Sequence, residues 1–381
     1  MTTIDHDAHA TVRPRPSPIS ILDVDEHSSS DSSASSASSM ASVNTVRPSS
    51  REQPASATHW TNYFTQDLNL ETNLDAGRRA VYHVYLTPPT NPKKDPLFVC
   101  HHGAGSSGLS FAVFAKEIRS RLPDAGILSV EARGHGSRIF LATGEEEPAD
   151  FSISALSADL LRMIQLTSTK LAWPSLPPLV LIGHSLGGAV VVDLCNNHFR
   201  PIFQSLIGYS VIDVVEGSAL EALSHMKTYL STRPSLFNTV DEAVDWHIRT
   251  RTIRDRESAG VSVPSLLTQL TSGKLVWRTN LSATSPWWED WFKGMSSKFL
   301  TGRGAKMLIL AGTDRLDKDL MIGQMQGKFQ LVVLPEAGHF VQEDMPARTA
   351  TLMVEFYKRN DRSQLVLPPK VSDLLAQGKK V

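Results

Sequence analysis

The chain has 381 residues, 41% hydrophobic and 20% charged, which suits a soluble globular enzyme with flexible ends. A net charge of -1 leaves no global field to steer it toward nucleic acid or anionic lipid. Two cysteines, Cys100 and Cys195, make neither a disulfide framework nor a cysteine-based metal site, and they read as buried thiols in a reducing compartment.

The N-terminus MTTIDHDAHA has no basic start followed by an apolar run, so no signal peptide is expected. No apolar run is long enough to span a bilayer, so no membrane partner is expected. These features suggest a cytoplasmic protein, and a neutral chain is silent on the nucleus. Residues 1–55 are expected to be disordered, because positions 28–39 hold nine serines in twelve residues and have nothing to bury. Such a tail is either featureless or a phosphorylated regulatory segment. The folded part is expected to begin near Trp60.

Strands are predicted at 80–88, 97–105, 126–136, 178–184, 205–213, 306–312 and 329–339, each apolar and most ending in glycine or a loop. Helical spacing appears at 110–122, where Phe111, Phe114 and Ile118 share a face, and at 153–164 and 347–359. Short, continuously apolar strands alternating with helices predict an α/β fold, with a mostly parallel sheet covered by helices on both faces. The core is placed at 56–215 and 306–360. Residues 216–305 break the rhythm and read as an inserted cap, with helical pieces at 219–230 and 241–253 and a mobile loop at about 256–274. A cap inserted here lies above the carboxyl ends of the strands, where open α/β sheets place ligands. Residues 361–381 read as a flexible tail.

Gly183-His184-Ser185-Leu186-Gly187 fits G-x-S-x-G, a weak pattern alone. Its context strengthens it, because Leu179 to Ile182 make a buried strand and Gly188 to Val192 open an apolar helix. That is the setting of a nucleophile elbow, with Ser185 on a tight turn. The plainer reading is a glycine-rich turn with a structural serine. His339 follows the apolar run Gln330 to Leu334 and comes late in the chain, as the base does in α/β-hydrolases. Neutral imidazole can take the serine proton and return it to the leaving group. His101, His102, His135 and His184 suit supporting roles around the site, and without matching Cys or carboxylate spacing they are unconvincing zinc ligands.

A tetrahedral intermediate needs donors aimed at its oxyanion. The amide of Leu186 is one candidate. The second comes from the loop His101-His102-Gly103-Ala104-Gly105, where Ala104 is assigned and Gly103 is the alternative. No G-x-G-x-x-G and no Walker lysine are present, so this loop is not read as a nucleotide site and no cofactor or metal is called for. For the acid, the residues alone leave Asp213, Asp314 and the weaker Asp317 open, since each follows a predicted strand.

Several blocks resemble the protein phosphatase methylesterases, a family of serine carboxylesterases within the α/β-hydrolase superfamily. These are LIGHSLGGAVVVDL (181–194), VIDVVEGSALEAL (211–223), WWEDWFKG (287–294), LILAGTDRLDKDL (308–320) and IGQMQGKFQLVVLPEAGHFVQED (322–344). The resemblance covers roughly 60–359 and is loose over 256–274. It implies demethylation of the C-terminal leucine of the protein phosphatase 2A catalytic subunit, with that subunit or its core enzyme as partner. It also implies an active form assembled when the phosphatase docks, and it favours Asp213 as the acid, leaving Asp314 and Asp317 as loop-stabilising residues beside Arg315 and Lys318. The cap, with Trp246, Trp277, Trp287, Trp288 and Trp291, is then expected to meet the partner, unless those rings fill the cap's own core. Two other readings are a generic esterase acting on small esters or lipids, and a non-catalytic phosphatase-binding protein.

Overall fold

The computed structural model describes residues 60–312 and 316–363. The expected tail 1–55, residues 364–381, Asp314 and Arg315 lie outside the described residues. Among the described residues the main sheet has nine strands. They are β1 (Gln66–Asn73), β2 (Arg79–Thr87), β3 (Leu97–His101), β4 (Gly126–Val130), β5 (Arg138–Phe140), β6 (Leu179–His184), β7 (Leu206–Ile212), β10 (Ala305–Leu310) and β11 (Gln330–Val333). The order across the sheet is β1-β2-β4-β3-β6-β7-β10-β11, with β5 on β2. Pairs from β4 through β11 are parallel, and β2 pairs antiparallel with β1, β4 and β5.

The central strands are apolar on both faces because each face meets helices. In β3, Leu97 and Val99 enter one core while Phe98 and Cys100 enter the other. In β6, Leu179 and Leu181 oppose Val180 and Ile182 in the same way. The first core is closed by α2 (Ile153–Lys170) and α3 (Leu186–Asn197), and the second by α1 (Ala112–Arg121) and α11 (Pro346–Asn360). The edge strand β1, QDLNLETN, was not expected: only Leu68 and Leu70 face the core, and polar residues alternate with them. Cys100 and Cys195 are buried free thiols, and burial pushes both up from the ordinary thiol range. Among the described residues no helix is long and apolar enough to cross a membrane.

Between β7 and β10 the chain leaves the sheet. It forms α4 (Glu216–Thr232), α5 (Val240–Arg249), α6 (Arg256–Ser262), a β8–β9 hairpin (Leu267–Gln269 with Leu275–Trp277), α7 (Trp288–Phe292) and α8 (Met295–Thr301). Helices α4, α7 and α8 pack on the α3 side of the main core. Phe237, Ala243, Val244, Ile253, Ala259, Val263, Leu267 and Leu275 make a separate small core. The stretch 256–274, expected as a mobile loop, is therefore built structure for most of its length. Asp255 caps α6 by accepting from the Ser258 amide at 2.8 Å. Two of its serines are buried with partners: Ser265 donates to the Ser262 carbonyl at 2.6 Å, and Ser262 donates to Glu343 at 2.5 Å. A polar sequence here marks buried hydrogen bonding.

Two further helices complete the chain: α9 (Lys318–Met325) follows β10, and α10 (Val341–Asp344) precedes α11. Because β3, β6, β7 and β11 run parallel, the loops leaving them gather at one edge of the sheet.

Candidate active site

Ser185 sits between β6 and α3 at φ 52°, ψ -121°, in the left-handed region that side chains other than glycine disfavour. The turn is possible because its neighbours are glycines. A Cβ at Gly183 would collide with the Gly187 carbonyl, and one at Gly187 with the His101 carbonyl. The Ser185 amide donates to Ile212 O at 3.0 Å, which ties the elbow to the end of β7.

Asp213, one residue past β7, is also at positive φ, 50°, and is 2% exposed. Its carboxylate accepts from the Ala311 amide at 2.9 Å and from Nδ1–H of His339 at 2.7 Å. With Nδ1 carrying the proton, the Nε2 lone pair of His339 is the free base, the tautomer a serine base needs. The structure thus brings His339 and Asp213 together. Asp317 instead caps α9 through the Leu320 amide at 3.0 Å and receives a hydrogen bond from Ser296. His184, beside Ser185, donates Nε2–H to the His339 carbonyl at 2.9 Å. Burial, and then the neighbouring His339, lowers His184 to about 3, so its ring stays neutral.

Leu186 opens α3, and helix geometry leaves its amide without an intrahelical acceptor. The 101–105 loop crosses the elbow directly, since the built Cβ of Gly103 would lie 3.1 Å from the Ser185 Cβ. Ala104 is half-buried within this loop. Gly105 is committed elsewhere, its amide donating to Nε2 of His135 at 2.8 Å. The other histidines brace this loop. His102 donates Nδ1–H to the Gly103 carbonyl at 2.7 Å and accepts from the Ala132 amide at 3.1 Å. His101 donates to the His102 carbonyl at 2.9 Å. Burial lowers His101 and His135 to about 4, and His102 well below its ordinary value.

The insertion grips both loops, a feature the sequence reading missed. Arg278 donates to the fully buried Glu131 at 2.8 Å, and Thr279 donates to Gly134 O at 3.0 Å. The side chain of Leu281 fills the space a Cβ of Gly105 would need. Across the mouth, Arg254 meets Asp344 beside the His339 loop.

The sequence model of the alpha/beta hydrolase family matches residues 98–352. Protein phosphatase methylesterase 1 of Neurospora crassa is 54% identical over 365 residues, covering 84% of this chain and 80% of that protein. The protein of the same name from Aspergillus oryzae is 56% identical over 335 residues, covering 86% and 77%. The chain belongs to the protein phosphatase methylesterase 1 family. Among solved structures, E-2-(acetamidomethylene)succinate hydrolase aligns with a TM-score of 0.57 at 18% identity, covering 77% of this chain and all of that one, a likeness of fold alone.

In this methylesterase-family chain the insertion's tryptophans are structural. Trp288 and Trp291 are buried in the main core, their indoles donating to Thr284 and to the Phe151 carbonyl at 2.7 Å each. Trp287 packs against the Phe151 ring at 5.6 Å. Trp246 and Trp277 pack with Phe237 in the small core, and Arg233 covers the Trp277 ring at 3.6 Å. Trp288 and Trp291 are buried, and Trp246, Trp277 and Trp287 are half-buried.

Proposed function

We propose that this chain is a serine carboxyl methylesterase that demethylates the C-terminal leucine of the protein phosphatase 2A catalytic subunit. Its substrate class is taken from the name its relatives carry. The observation that carries the catalytic reading is the 2.7 Å hydrogen bond from Nδ1–H of His339 to Asp213. Ser185 Oγ attacks the ester carbonyl as Nε2 of His339 takes its proton. The amides of Leu186 and Ala104 are assigned to hold the oxyanion. Collapse breaks the bond to methoxide, which leaves as methanol with the proton from His339. Water then adds to the acyl-enzyme by the same proton route, releasing a free carboxylate and Ser185. Asp213 holds the imidazole and offsets its transient charge. The insertion is assigned to meet the phosphatase.

The test is release of methyl groups from intact methylated phosphatase by wild type and by Ser185→Ala. The variant is expected to lose at least about a thousandfold in turnover while remaining folded. Retention of a tenth of the activity would overturn the nucleophile assignment. Efficient hydrolysis of small esters with no action on the methylated phosphatase would favour a generic esterase. Failure of a fluorophosphonate to label Ser185, alone or with the phosphatase, would favour a non-catalytic binding protein.

A further inference from the structure

The geometry points to Arg254 as a positioning residue for the general base, acting from the insertion through the buried carboxylate of Asp344 on the backbone of Gly338 and His339. This inference rests on the esterase reading above and adds to it a residue outside the triad.

His339 lies on the connection from β11 to α10, a segment without regular structure of its own. Its backbone must be held from outside if Nδ1 is to stay on Asp213. Two attachments do this. On the C-terminal side, His184 donates to the His339 carbonyl. On the N-terminal side, the amide of Gly338 donates to Asp344 Oδ2 at 2.6 Å. Asp344 is itself held by Arg254, whose amide donates to Oδ1 at 2.8 Å and whose Nε lies 3.7 Å from Oδ2. The same guanidinium donates to the carbonyl of Glu336, within the base loop. A Cβ on Gly338 would come within 3.1 Å of Asp344 Oδ2 and 3.2 Å of Arg254 Nε, so the residue before the base rests on this pair.

The pair is asymmetric in burial. The Asp344 side chain is 1% exposed and that of Arg254 is 32% exposed. A buried carboxylate needs donors and a counter-charge, and here both come from the insertion and the base loop. Arg254 is fixed in turn by its neighbours: Ile253 belongs to the insertion's small core and Asp255 caps α6. Phe340, the residue after the base, packs against that same core. A shift of the small core therefore reaches His339 from both sides, and a displacement near 1 Å is enough to cost about a hundredfold in rate.

The experiment uses the full chain and p-nitrophenyl acetate as the probe ester, comparing wild type with Arg254→Ala, Arg254→Lys and Asp344→Asn. Each variant is first shown folded by circular dichroism at the assay temperature. Arg254→Ala and Asp344→Asn are expected to lower kcat between about tenfold and about a hundredfold, with KM changed less than about twofold. They should also shift or broaden the downfield proton resonance of the His339 Nδ1–H, and Arg254→Lys should recover part of both. Folded variants with wild-type kcat and an unchanged resonance overturn the inference. So does a loss confined to KM or to thermal stability. Should Arg254→Ala fail to fold, Arg254→Lys and Asp344→Asn carry the same readouts. A wild-type protein inactive on the probe, and unlabelled at Ser185, would instead count against the esterase reading itself.

Discussion

Nε2–H of His184 donates to the main-chain carbonyl of His339 at 2.9 Å, and their ring centroids are 4.7 Å apart. The residue before Ser185 is thereby fastened to the backbone of His339. A carbonyl only accepts, so His184 must keep its proton on Nε2. With its pKa lowered to about 3 by burial, it does not compete for the proton that His339 carries during turnover.

Replacing His184 by Leu removes the donor and leaves a part-buried carbonyl without it. A fall in kcat of about tenfold is expected, the equivalent of one lost hydrogen bond. His184→Gln keeps a donor and should lie between Leu and wild type. Equal kcat for wild type and His184→Leu, at matched folding, would remove this link.

Asp213→Asn is expected to cost about ten-thousandfold in kcat, the scale known for loss of the triad carboxylate elsewhere. The local geometry supplies the reason. Asp213 accepts from both the Ala311 amide and His339 Nδ1–H. An asparagine oxygen turned to Ala311 would aim its NH2 at His339 and force the proton onto Nε2, the wrong tautomer. Asp314→Asn is expected to keep most activity. The reverse ranking in the methyl-release assay would move the acid to Asp314.

Much of this architecture was legible because burial leaves a local record. LFVCH and LVLIGH read as two-faced strands, since every residue in them is buried. The elbow was legible because Gly183 and Gly187 are dictated by backbone contacts four residues or one loop away. The acid was not legible from residues alone: Asp213 and Asp314 both follow apolar strands, and only the family resemblance separated them. The 256–274 stretch reads as a loop because two of its buried serines find partners distant in sequence, Glu343 for Ser262 and Ser107 for Ser265. The two arginines that reach from the insertion to Glu131 and Asp344 carry no local signal either.

Arg278→Met should destabilise the protein by about 3 kcal/mol, because it leaves the buried Glu131 without its cation. Glu131 also accepts from the Gly108 amide at 2.9 Å, which a glutamine oxygen can replace. The double variant Glu131→Gln with Arg278→Met is therefore expected to recover part of the loss. Urea midpoints for the two single variants and the double check this. A single Arg278→Met variant as stable as wild type would show the pair to be energetically idle.

Stability should fall steeply below neutral pH, and the sign follows from five buried histidines. His101, His135 and His247 are lowered to about 4, His184 to about 3, and His102 well below its ordinary value, in every case chiefly by burial. Each is neutral in the folded chain and takes up a proton on unfolding, where its ordinary value near 6.5 returns. A lowered histidine contributes stability that is present above about pH 6.5 and lost as pH falls toward its folded value. Glu343 and Asp344 oppose this. Burial raises both, so the folded chain holds their protons to higher pH than the unfolded chain does, and their contribution grows as pH falls toward the ordinary carboxylate range. Five histidines against two carboxyls leave a net uptake of protons on unfolding below neutral pH. The urea midpoint is therefore expected to drop between pH 7 and pH 5. His135→Asn, which removes one of the five, should flatten the slope. A midpoint constant from pH 7 to pH 5 would mean that these rings titrate alike in the folded and unfolded chains, and the tautomers assigned to the 101–105 loop would have to be redrawn.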